Sequence, residues 1–205
     1  MRVTLLAAAV AFLASPAAAQ GAVAFDAALS AGRAAIAGSL RRLQEARSTA
    51  SAAAIESARR DAAAIESTAE RARWRLQDVL RRARDQQDRS DRTDPFLDMD
   101  VRRLTRDLRE LRDAAQRLAT DAGRLEREAQ PDPALVAPAE RLESQTAALR
   151  WPLGDLASDA RWGRYDLARA GYQLEAWDLE RDAESASESA REAQASAQRL
   201  ARKVR

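Results

Sequence analysis

Between Leu97 and Leu125 the apolar side chains fall at Leu97, Val101, Leu104, Leu108, Leu111, Ala115, Leu118, Ala122 and Leu125. The steps alternate four and three without a slip, and most positions between them are Arg, Asp, Glu, Gln or Thr. A helix apolar only at a and d has the narrow seam of a coiled coil. Such a seam cannot bury itself, so partner helices must come from the same chain or from another subunit. A second strict seam runs Ile55, Ala58, Ala62, Ile65, Ala69, Ala72, Leu76, Val79, Ala83. Upstream of it, Phe25, Leu29, Ile36, Leu40 and Leu43 keep helical spacing. Leu43, Arg47, Ser51 and Ile55 join the two sets by successive steps of four, a stutter that unwinds a supercoil locally without ending it.

From Phe25 to Arg89 there is no Pro, Gly occurs only at Gly32 and Gly38, and strong helix formers dominate. One helix over about 25–90 is predicted, with a break at Ser48 to Ser51 as the alternative. Within it Ala52-Ala53-Ala54-Ile55-Glu56-Ser57 recurs as Ala62-Ala63-Ala64-Ile65-Glu66-Ser67. Two copies on one helix do not make a solenoid, which needs at least three stacked units. Asp94-Pro95 is a strong helix start, cap residue followed by Pro. The connection before it is short enough to set neighbouring helices antiparallel. Pro131-Asp132-Pro133 reads as a kink in a second rod spanning 95–150. Trp151-Pro152-Leu153-Gly154-Asp155 reads as the next corner, followed by a last helix over 155–203. Its seam starts Leu156, Ala160, Gly163, Leu167, Ala170, Leu174, Trp177. It then changes phase to Tyr172, Ala176, Leu179, Ala183, Ala186, Ala190, Ala193, Ala197, Leu200 and Val204. The expected fold is all-α: an elongated antiparallel bundle of three long coiled-coil-like helices, or four if the first one breaks.

The first nineteen residues stand outside this pattern. Arg2 makes a positive start, Val3 to Ala14 an apolar run, and Ala17-Ala18-Ala19 a small-residue cleavage site before Gln20, as in a secretory signal peptide. The apolar run falls short of the roughly 20 residues that span a bilayer. The expectation is an exported chain, periplasmic or secreted, with residues 20–205 as a single helical domain. The chain has no Cys, so packing alone must hold it, and no His, so the commonest metal ligand and general base are missing.

Composition removes several functions. The pI of about 9.6 suggests a nucleic-acid binder. With Arg2 removed, however, basic residues exceed acidic ones by one, and the signs are interleaved instead of gathered on one face. No Gly-rich phosphate loop occurs, Ser residues have no His to activate them, and the carboxylates sit in ordinary charge patterns. No enzyme, cofactor or metal site is expected.

Aromatic residues are the exception to the bland surface. Against the seam from Leu153 to Trp177, positions Trp151, Tyr165 and Tyr172 fall opposite the apolar face, with Trp162 beside them. Either a second layer covers this segment, for example the stretch from Phe25 to Leu43, or it is an exposed patch for a partner. Trp74 lies among Arg71, Arg73 and Arg75, where stacking of Arg on its ring is a sufficient local reason for it. An acidic band on the last helix (Glu175, Asp178, Glu180, Asp182, Glu184, Glu188, Glu192) and a basic band on the first (Arg71, Arg73, Arg75, Arg81, Arg82, Arg84) are expected to meet and set register. The functional expectation is a non-catalytic exported interaction protein, a scaffold, adaptor or holdase-like chaperone. Its partners would be envelope or periplasmic proteins or a second copy, met through Trp151, Trp162, Tyr165, Tyr172 and Trp74. The alternative is a peripheral binder of a membrane surface or an anionic cell-wall polymer. The narrow, mixed-sign flanks of the seams argue against that alternative.

Overall fold

The computed structural model describes residues 21–88 and 95–205, with side chains described over 36–49, 51–86 and 96–205. The expected signal peptide at 1–19 and the Asp94 cap lie outside the described residues. Described secondary structure is helical throughout: α1 (Gly21–Asp88), α2 (Pro95–Glu128), α3 (Pro133–Ala148), α4 (Arg150–Arg169) and α5 (Gln173–Val204). The chain divides into two units, residues 1–47 and 48–205. In the first, α1 leaves Ile36, Leu40 and Leu43 exposed. No break interrupts α1 at Ser48 to Ser51.

In the second unit four long helices pack together: α1 from Ser48 onward, α2, the rod of α3 plus α4, and α5. Ion pairs show the directions. Arg75 pairs with Asp107 and Arg82 with Asp100, so α1 and α2 run oppositely. Arg73 pairs with Asp155 and Asp159, and Arg84 with Asp166, so α4 runs along α1 in the same sense. Arg164 meets Glu180 and Arg161 meets Glu184 across an antiparallel α4–α5 pair. Between α2 and α5, Arg112–Asp182 and Arg199–Glu126 define a parallel pair.

The seams supply the core. Every apolar position of the Leu97–Leu125 seam and of the Ile55–Ala83 seam is buried. On α5 the buried residues include Ala176, Leu179, Ala183, Ala186, Ala190, Ala193, Ala197, Leu200 and Val204, joined by Ala201 and by the polar Asp182, Ser187, Ser189 and Ser196. Leucine-rich α2 thus packs against alanine-rich neighbours, and each fully buried Leu contributes about 1.5–3 kcal/mol. Gly163 is small for a reason: a Cβ there would come within 2.4–2.5 Å of the Leu80 methyls, so α4 approaches α1 closely at this level.

Three rods in the expected order are not what forms. Pro131 to Pro133 is a reversal, not a kink. Asp132, in extended conformation at φ −156°, accepts from Ala134 N–H at 2.9 Å and from the Ser48 hydroxyl, and Pro133 starts α3. The Asp132 N–H donates to Val204 O at 3.1 Å, and Lys203 caps the last carbonyls of α2 at Glu126 and Arg127. Trp151 to Asp155 is not a corner: the helix only tightens at Leu149, which stays in the right-handed region, and α4 continues through Pro152 near its start. The true corner is Ala170-Gly171-Tyr172. There Tyr172 N–H bonds Leu167 O and Gly171 N–H bonds Ala168 O, a Schellman motif with Gly171 at φ +97°. Because α5 therefore runs against α1, the acidic and basic bands do not pair. From the Arg band, Arg73, Arg75, Arg82 and Arg84 pair with α2 and α4, and from the acidic band Asp182 pairs with α2 and Glu180 and Glu184 with α4.

Candidate interaction surface

Helix α4 turns Leu153, Leu156, Ala160, Gly163 and Leu167 inward. One hundred degrees per residue then places Trp151, Trp162 and Tyr165 on the opposite side. They are 72%, 73% and 60% exposed, so none of the helices of the second unit forms a layer over them. Tyr172 differs. At the corner it begins α5 and is only 9% exposed, because the reversal turns it into the core beside Ala176 and Leu179. Trp74, 74% exposed, is not brought to this row. It lines an open groove of about 260 Å³ between α1 and α2 with Arg75, Asp78, Arg82, Asp100 and Arg103.

Trp177 belongs to the surface and was placed in the seam by its spacing. After the corner the buried face passes to Ala176 and Leu179, which leaves Leu174 and Trp177 outside. The Arg164 guanidinium lies 4.5 Å from the Trp177 ring centroid and 5.0 Å from that of Tyr165. It donates to the Tyr165 hydroxyl at 3.1 Å and to Glu180 at 2.8 Å. Those two hydrogen bonds, Tyr165 first, raise the Arg164 pKa above its ordinary value. One cation therefore ties an aromatic ring on α4 to another on α5, and Arg150 sits 5.8 Å from Trp151 further down the row. The change of phase around Gly171 was the sequence signal for this arrangement.

On this surface Arg161 pairs with Glu184 and Arg164 with Glu180. The larger groove, about 390 Å³ between α1 and α2, has Ile65, Leu111 and Leu118 on its floor, and all three are at most 3% exposed. Among the described residues no group of three or more His, Cys, Asp or Glu is placed to hold a metal ion. No described helix is long and apolar enough to cross a membrane. No protein-family model, curated protein or solved structure matches the chain.

Proposed function

We propose that this is a non-catalytic, exported helical interaction protein, a scaffold, adaptor or holdase-like chaperone of the cell envelope. It would meet its partners through the aromatic surface of α4 and α5. The observation behind this reading is that Trp151, Trp162, Tyr165 and Trp177 stay at least 60% exposed on a bundle whose two strict seams are fully covered. Large rings left in water gain nothing for stability, and grouped exposure of this kind marks contact surfaces. The a/d spacing of the seams supports coiled-coil-type packing of the helices that present them. Export rests on the leader pattern at 1–19.

Peripheral binding to a lipid or polyanionic surface is the weaker reading. Arg73, Arg75, Arg82 and Arg84 are each paired with aspartates, which offsets much of the positive charge on that part of α1.

Photocrosslinking inside the cell from positions 162 and 74, read by mass spectrometry, tests the proposal. Trp162→Ala is expected to change folding stability by no more than about 0.5 kcal/mol, since exposed side chains away from special features rarely do more, and Tyr165→Ala, which also loses its contact with Arg164, by about 0.5–1 kcal/mol. Both are expected to abolish crosslinks made from neighbouring α4 positions. An unchanged crosslink pattern, or bundles that melt with either substitution, would defeat the assignment. Co-sedimentation with liposomes separates the lipid alternative.

A further inference from the structure

Four contacts converge on one side chain of the aromatic surface. The Arg164 guanidinium faces the Trp177 and Tyr165 rings, 4.5 and 5.0 Å from their centroids, while it donates to the Tyr165 hydroxyl and to Glu180. The Arg164–Glu180 pair is mostly buried, whereas Arg161, in the neighbouring pair with Glu184, stands largely in solvent. The backbone beneath is pinned as well. The Leu80 methyls fill the space where a side chain at Gly163 would stand, and Glu180 follows the buried Leu179. Among the described residues no cation lies over Trp162, about one helical turn from Tyr165.

An exposed ring that is free to change rotamer must be ordered when a partner lands on it, and that ordering weakens association. A ring already held against a fixed cation needs no such ordering. A planar guanidinium can stack on aromatic faces and donate in its own plane at once, whereas an ammonium is a point charge. We propose that Arg164 is a positioning residue for the contact surface, holding Tyr165 of α4 and Trp177 of α5 together as one preformed anchor. This rests on the reading of the aromatic surface as a contact site, and it adds which two rings are fixed before any partner arrives.

Time-resolved fluorescence anisotropy is the first measurement, on the chain with Trp74, Trp151 and Trp162 replaced by Phe so that Trp177 alone emits. With Arg164 in place the ring is expected to turn with the bundle. Arg164→Lys, which keeps a positive charge opposite Glu180, and Arg164→Gln are both expected to add a fast nanosecond component. Photocrosslinking inside the cell from position 158, on the exposed side of α4, is the second. Arg164→Lys and Arg164→Gln are expected to lower the crosslink yield about threefold to tenfold. Arg161→Gln, which removes the neighbouring ion pair and lies over no ring, is expected to leave it unchanged. A Trp177 ring as slow in both Arg164 variants as in the unsubstituted chain overturns the proposal, and so does an equal loss of crosslinks in Arg161→Gln. Crosslinks that persist in Trp162→Ala defeat the contact reading and the proposal with it. Crosslinks lost in Trp162→Ala but kept in Arg164→Gln defeat the proposal alone.

Discussion

Asp182 is the side chain that the bundle can least easily give up or leave alone. It is fully buried between α5 and α2, with Arg112 at 2.7 Å and Arg181 at 3.6 Å, and its Oδ2 has no hydrogen-bond partner. A buried carboxylate is costly to desolvate, and its pair with Arg112 mainly offsets that cost. Removing only the cation is therefore worse than removing both groups. Arg112→Leu is expected to lower unfolding free energy by about 3 kcal/mol, and adding Asp182→Ala to recover most of the loss. Urea denaturation of the single and double variants checks this, and strictly additive losses would show that the two groups act independently and overturn the argument.

Individual helices were largely legible from spacing, while their connections were not. Each position of the two strict seams is buried because alternating steps of four and three hold one face toward the bundle whatever the neighbours are. Reversals depend on one or two backbone angles, and periodicity is blind to those. Pro133 and Asp132 look the same at a kink and at a new helix start. What decided for reversal were contacts distant in sequence, Ser48 on Asp132 and Asp132 N–H on Val204. The change of seam phase near residue 172 did record a corner, and Gly171 inside it was the residue to read. At φ +97° a side chain is strained, so Gly171→Ala is expected to destabilise the protein by about 1–2 kcal/mol. A thermal melt checks it; an unaltered melting temperature would mean that the α4–α5 corner relaxes freely. The candidate site was half legible for the same reason. Trp151, Trp162 and Tyr165 follow from the face opposite the seam, but Tyr172 and Trp177 exchange inside and outside once the corner is moved.

For the molecule as a whole, electrostatics set a one-sided dependence on pH. Hydrogen bonds from Arg82 to Asp78, from Arg199 to Glu126 and from Arg59 to Glu56 hold these carboxyls below their ordinary values, and Ser48 does the same for Asp132. A carboxyl depressed in the folded state stabilises it above the unfolded value, roughly 3.9–4.3, and that contribution is lost as pH falls through the folded one. With no His in the chain, no side chain of ordinary pKa titrates just below neutrality. The melting temperature is expected to be flat from about pH 5 to 8 and to fall below about pH 4. Calorimetry across that range checks it, and a midpoint near neutrality would contradict it. The four tryptophans, at 61–74% exposure, have a last consequence of another kind. Their indoles already sit in water in the native state, so emission should be red-shifted before any denaturant is added and should barely move on unfolding. A spectrum that is nearly silent to folding is free to report something else: a blue shift in this protein would signal that another surface has closed over its rings.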